Sequence, residues 1–240
     1  MWRSFVIGLG AFAAVSTATP ARAQDHAVSF NLGYFALRGV DSRVSGDVLN
    51  ANRCIDASSV CEPLLFEVDD FNFATLGAEW LIGFGDFFEA GAGIGYYQHT
   101  VHSIYENLTN VNGTEIEQDL KLRMVPITGT IRFVPTGRTA GLQPYFGVGV
   151  SFINWKYSEA GSFVDTSDGT IFNAVYTADG TKAGPVVLGG LRGMVSDAFL
   201  VGGEVRYQWA DAELPIEVGF VGERIDLGGF TYQAVFQIRF

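Results

Sequence analysis

The chain has 240 residues, 48% hydrophobic, 14% aromatic and 17% charged, too apolar for a disordered chain and long enough for one large domain or two small ones. Thirty glycines and 20 phenylalanines against three methionines favour strands over helices. A net charge of −11 argues against a nucleic-acid partner, which would call for a basic face.

Residues 1–23 read as a signal peptide. A short basic start (Met1-Trp2-Arg3) leads into an apolar run over residues 4–15, and Ala21-Arg22-Ala23 fits the small-x-small cleavage pattern. The remainder, 24–240, is predicted to be one exported domain. Without Arg3 and Arg22 it holds 13 basic and 26 acidic residues, a net of −13. No stretch of it is apolar enough for a membrane helix.

Period-two alternation then marks eight strands. In the first, residues 26–37, Val28, Phe30, Leu32 and Tyr34 oppose Ser29, Asn31 and Gly33. A polar stretch follows, with Cys54 and Cys61 separated by six residues; in an exported protein this spacing reads as a small loop-closing disulfide. The second strand, 71–82, sets Leu76, Ala78, Trp80 and Ile82 against Thr75, Gly77 and Glu79. The third, from Phe88, sets Ala90, Ala92, Ile94 and Tyr96 against Glu89, Gly91, Gly93 and Gly95.

Residues 98–119 are polar and read as a loop. The fourth strand, 120–134, changes phase at Pro126: Leu120, Leu122 and Met124 precede it on one parity, Ile127, Ile131 and Phe133 follow on the other. A bulge at the proline accounts for such a flip. The fifth sets Phe146, Val148, Val150 and Phe152 against Tyr145, Gly147, Gly149 and Ser151, and its alternation fails at 153–155. After a polar stretch at 157–180, in which residues 170–177 could be an extra strand or a loop hairpin, the sixth strand is predicted over 182–194. The seventh carries Phe199, Val201, Val205, Tyr207 and Trp209 against Glu204, Arg206 and Gln208. The eighth, 228–240, carries Phe230, Tyr232, Ala234, Phe236, Ile238 and Phe240 against Thr231, Gln233, Val235, Gln237 and Arg239.

Connections of about 30, 5, 22, 7, 24, 3 and 18 residues alternate long and short, as in an up-and-down meander. The mid-strand charges Glu79, Glu89, Arg132, Arg192, Glu204, Arg206 and Arg239 all lie on the face away from the aromatics. A soluble barrel wants the opposite; a membrane barrel wants this, with aromatic girdles at both rims. Tyr34, Trp80, Phe88, Tyr96, Tyr207, Trp209, Phe230 and Phe240 are the girdle candidates. The inward charges are expected to pair as a structural network, with an ion or proton path as the alternative. Inward glycines such as Gly91, Gly93 and Gly147 leave them room.

The cleavage pattern, the alternating loops and the terminal YQAVFQIRF closing on Phe240 together resemble the small Gram-negative outer-membrane β-barrels of the eight-stranded OmpA/OmpX/OmpW-like type. The resemblance implies an all-β, eight-stranded antiparallel up-and-down transmembrane barrel in the bacterial outer membrane. Both termini would be periplasmic, with four long loops outside and three short turns within. It implies lipid and lipopolysaccharide as surroundings and a terminal strand read by the barrel-assembly machinery. Gln233, Phe236 and Phe240 match that signal, while Ile238 stands where an aromatic is common and Val235 where glycine is.

No cofactor is implied. Some eight-stranded barrels modify lipid A with a serine and histidine at the membrane edge, so His99, His102 and Ser103 are the candidates for chemistry, but an extended strand keeps His99 and Ser103 about 13 Å apart. The loops are acidic, Asp41, Asp47, Glu106, Glu115, Glu117, Asp211 and Asp226 among them, which reads as solubility and repulsion of edge pairing, with the sharing of divalent cations with lipopolysaccharide as the alternative. The functional expectation is a structural or surface-interaction protein able to take an extracellular ligand on its long loops. An OmpW-like transporter of small apolar molecules is the alternative.

Overall fold

A computed structural model describes residues 26–54, 63–165 and 167–240. Residues 1–23, read above as a signal peptide, and Cys61 lie outside the described residues. Eight strands make the fold: β1 (His26–Leu37), β2 (Phe73–Phe84), β3 (Phe88–Thr109), β4 (Glu115–Phe133), β5 (Leu142–Val164), β6 (Ile171–Met194), β7 (Phe199–Gln208) and β8 (Gly229–Arg239). Each pairs antiparallel with the next, and β8 returns to β1 from Leu37 against Gly229 to Ala27 against Arg239. The sheet is therefore a closed ring with no edge at this level, the condition under which strands can cross a bilayer with their backbone groups satisfied.

Four strands are short (12, 12, 10 and 11 residues for β1, β2, β7 and β8) and four are long (22, 19, 23 and 24 for β3 to β6). The stretches 98–119 and 157–180, read from their polarity as loops, are instead continuations of strands. They form two tall hairpins closed by turns at 110–114 and, past the strand end at Val164, at 167–170, with Gly113 at φ 81° and Gly169 at φ 73°. Residues 170–177 accordingly form no additional strand. They belong almost wholly to β6, which begins at Ile171 and not at Lys182.

The phase change at Pro126 is not a bulge. Register with β5 is unbroken through Pro126 opposite Ile153, and register with β3 is the same on both sides, Met124 against Tyr97 and Ile127 against Ile94. Even-numbered residues of β4 face inward along its whole length. What changes is the surroundings. Below Pro126 the outward Ile127, Ile131 and Phe133 are exposed and the inward Thr130 and Arg132 are buried. Above it the inward Leu120, Leu122 and Met124 are buried, while outward Lys121, Asp119 and Glu117 are exposed. The same inversion occurs on β5 between Phe152 and Ile153, and on β3 between Tyr96 and Tyr97. A strand that keeps its geometry but reverses its polarity has passed from an apolar solvent to water.

The lower storey therefore carries an outward belt of exposed apolar residues, including Phe30, Leu32, Leu76, Phe146, Val148 and Phe236, with Leu32 at 68% exposure. So large a contiguous apolar surface marks a lipid-facing exterior. Aromatic rings sit at both rims: Trp80, Phe84, Phe88 and Phe133 at one, Tyr34, Tyr96, Trp209 and Phe230 at the other.

The upper storey is a four-stranded wall whose concave face is filled by the chain between β1 and β2 and between β7 and β8. Phe35, Val48, Leu49, Phe66, Phe71, Leu214, Ile225 and Leu227 pack there on Leu120, Leu122, Ile153, Trp155 and Tyr157. Each such side chain, fully buried, contributes about 1.5–3 kcal/mol. A five-residue helix, Val48–Asn52, is capped by Asp47, and the short strands Asp211–Glu213 and Arg224–Asp226 pair within the filling.

Candidate functional site

Two polar layers fill the lower lumen. In the one nearer the short turns, Arg192 Nη2 meets Glu89 Oε1 at 2.6 Å, and Arg192 Nε and Nη1 donate to Gln143 Oε1 at 3.0 Å and Gln237 Oε1 at 2.7 Å. Arg239 Nη2 donates to the same Gln143 oxygen at 2.9 Å. In the second layer Glu79 pairs with Arg132 and with Arg206 Nη2 (2.6 Å), and Glu204 pairs with Arg206 and with Arg132 Nη2 (3.1 Å). Thr130 donates to Glu79 at 2.8 Å, and Tyr145 and Gln233 donate to Glu204 at 2.9 Å and 2.7 Å.

The Tyr145 ring joins the layers, with the guanidinium carbons of Arg132 and Arg192 each 5.1 Å from its centroid, a double cation–π contact. All seven lumen charges expected from the alternation thus face inward, and the structure brings them into two connected groups. Gln237 was already on the lumen face by its parity, while reading for charges alone left the neutral Gln143 and Thr130 out of the network, although their inward parity was the available signal.

Space decides this arrangement. A Cβ on Gly91 would collide with Glu79 Oε1 and come within 2.6 Å of Thr130 Oγ1; on Gly190 it would collide with Tyr145. Above the charges lies a cavity of about 60 Å³ reached by Asn31, Thr75, Thr128, Arg206, Gln208 and Thr231, roomy and polar enough to hold ordered water.

The apolar filling closes the lumen from above, and ion pairs lock it in place. Arg43 and Asp47, both side chains fully buried, pair at 2.6 Å, and Arg43 Nη2 also donates to the Asp226 carbonyl at 3.0 Å. Arg38 Nη1 reaches Asp226 Oδ2 at 3.1 Å, and the Asp226 amide donates to Asp47 Oδ2 at 2.7 Å. Asp47 and Asp226, grouped from sequence with solvated loop acids able to share cations, are instead internal ties. Glu159 is also buried here. Asn52 Nδ2 and the Tyr157 hydroxyl donate to its Oε1 at 2.6 and 2.9 Å, and burial holds its carboxyl above the usual carboxylate range.

The serine and histidines do not converge. Ser103 Oγ donates to the Leu65 carbonyl at 3.3 Å, His102 points outward and pairs with Asp119, and His99 stacks on Phe73 at 4.1 Å. Among the described residues no three His, Cys, Asp or Glu side chains gather as a metal site. Cys54 follows the short helix at φ 56°; its expected partner Cys61 lies outside the described residues. Of the terminal-strand residues, Phe236 and Phe240 face outward, whereas Gln233 faces Glu204 in the lumen.

No protein-family model and no curated protein matches the chain. Solved structures do. Neisserial surface protein A is similar at 11% identity over 90% of this chain and 96% of that one, with a TM-score of 0.44. The N-terminal β-barrel domain of Pseudomonas aeruginosa OprF (10%, 91% and 100%, 0.40) and the E. coli outer membrane protein W (13%, 90% and 99%, 0.40) are also similar. The architecture rests on the strand pairing itself: the chain is an eight-stranded antiparallel up-and-down barrel of the transmembrane type.

Proposed function

We propose that the chain is an outer-membrane barrel with a structural or surface-interaction role, acting through its extracellular cap in envelope integrity, adhesion or host contact. The double seal of the lumen supports this: a paired Arg/Glu network below and an apolar filling above. A small barrel filled in this way offers no aqueous path. In this reading both termini are periplasmic, lipopolysaccharide and lipid surround the belt, and the barrel-assembly machinery reads Gln233, Phe236 and Phe240. An extracellular ligand would meet the hairpin tips, and no catalytic centre is assigned.

Single-channel recording on the reconstituted chain tests it. The expected record has no discrete openings; a steady conductance that changes with Arg132→Met would overturn the sealed-lumen reading.

One observation favours a transporter as the second reading. The β3–β4 ladder skips Gly95 and Tyr96 opposite Val125 and Pro126, beside the small cavity. Pro126 has no N–H to donate there, and its ring packs into the place a Cβ on Gly95 would take. Uptake of small apolar molecules that ceased on cross-linking β3 to β4 at this point would favour that reading.

A further inference from the structure

The outer wall just above the lipid belt carries a cationic cluster that the sealed lumen does not use. Lys121 and Arg123 of β4 and Lys156 of β5 occupy outward parities immediately above the level at which polarity inverts. Arg123 stands in register against Lys156, and Lys121 lies on the diagonal one pair further up. Like charges directly opposite on one face of a sheet repel. In a chain with 26 acidic residues, such a pair calls for a partner.

Among the described residues the chain supplies none at ion-pair distance. Four arginines of the cap are engaged: Arg38 with Asp226, Arg43 with Asp47, Arg53 with Glu67 and Arg224 with Asp211. Lys121, Arg123 and Lys156 take part in no ion pair or side-chain hydrogen bond among the described residues, and the buried Nε of Arg123 has no acceptor. Two acids flank the cluster. Asp119 is already paired with His102, and Asp179 stands in register against Lys156 without forming an ion pair.

The position selects the ligand. Directly below are the lipid-facing Val125, Ile127 and Phe152; above are Glu115, Glu117 and Glu106, whose field repels a soluble polyanion approaching from the tips. An anion anchored in the leaflet reaches the cluster from the side and avoids them. A phosphate group there offers several acceptor oxygens and up to two charges, and a guanidinium beside two ammonium groups suits it.

We infer that Lys121, Arg123 and Lys156 form a binding site for the phosphate of a phosphorylated glycolipid headgroup in the outer leaflet. This rests on the membrane placement proposed above, and it turns a repulsive cross-strand pair into a bridged one.

The test uses the full chain in nanodiscs of zwitterionic lipid, doped with either bisphosphorylated lipid A or its dephosphorylated form with the same acyl chains. Retained lipid is read by native mass spectrometry. The wild type is expected to keep the phosphorylated form about tenfold better or more, with the preference falling as salt rises. K121Q/R123Q/K156Q is expected to lose that preference, and Glu115→Gln to keep it. Equal retention of the two lipids by the wild type, or an undiminished preference in the triple variant, overturns the site.

Displacement of the lipid by millimolar inorganic phosphate overturns its assignment to a headgroup. Should the triple variant fail to fold, as judged by heat-modifiable migration, Lys156→Gln alone must still lower the preference. Failure of the whole chain to insert into the discs would instead sink the membrane reading. Channel openings with lipid selectivity intact would sink only the sealed lumen.

Discussion

Tyr145 sits between the guanidiniums of Arg132 and Arg192, and Gly190 leaves it that room. Gly190→Ala is expected to push the ring out of place and destabilise the barrel by about 1–3 kcal/mol in denaturant titrations in detergent. Glu79→Gln would leave Arg132 and Arg206 buried with reduced countercharge, at about 3–5 kcal/mol. Substituting Arg132→Met as well should recover part of that loss, and a double-mutant cycle reads the coupling.

Glu159 carries a prediction about pH. Its folded-state pKa is raised by burial above the ordinary 4.5. Its contribution to cap stability is therefore fully present below that value and is lost as pH rises through the raised one. Amide protection of the Val48–Asn52 helix should fall as pH rises above the ordinary carboxylate range and flatten in Glu159→Gln, whose carbonyl still accepts from Asn52 and Tyr157. An unchanged pH profile in that variant would remove Glu159 as the cause.

At the scale of elements, the two hairpins β3–β4 and β5–β6 serve both storeys. Their lower halves are lipid-facing barrel wall, and their upper halves are the back of a water-soluble core. Leu49→Ala empties a site in that core and is expected to cost about 2–5 kcal/mol locally. Hydrogen exchange should report it in the upper halves of β4 and β5 while the β1–β8 seam stays protected.

The terminal strand makes the opposite case. Phe240 is 60% exposed, stacks on His26, and donates its amide to the His26 carbonyl at 3.0 Å. Deleting it removes little buried contact, so detergent-refolded stability should change by under about 1 kcal/mol. Machinery-dependent insertion in cells should fall sharply. Equal insertion would speak against the assembly-signal reading.

The whole molecule consists of two cores that want opposite solvents, stacked on shared strands. Below, lipid takes the apolar face and the lumen is ionic; above, water takes the polar face and the interior is apolar. The junction runs through Pro126 and Ile153. Cys54 stands at the edge of the upper core, beside Arg53 paired with Glu67. If the expected Cys54–Cys61 bridge closes that loop, reductant should raise exchange in the Val48–Asn52 helix and leave heat-modifiable migration unchanged. Loss of the folded band on reduction would show instead that the two storeys unfold together.

Much of this was legible in sequence because strand periodicity is local. Alternation by itself set eight strands, the apolar exterior and the inward side of Glu79, Arg132, Glu204 and Arg206, since parity needs no knowledge of the partner strand. Tertiary structure decided the rest. Residues 98–119 looked like loop because polarity was read against one solvent, and Lys121 and Arg123 are polar only because water has replaced lipid outside them. Asp47 and Asp226 looked solvated because Arg38 and Arg43, which bury them, come together only when the segments after β1 and before β8 meet inside the hairpin wall. Period two says which side of a strand a residue faces; only the assembled barrel and its cap say what is waiting there.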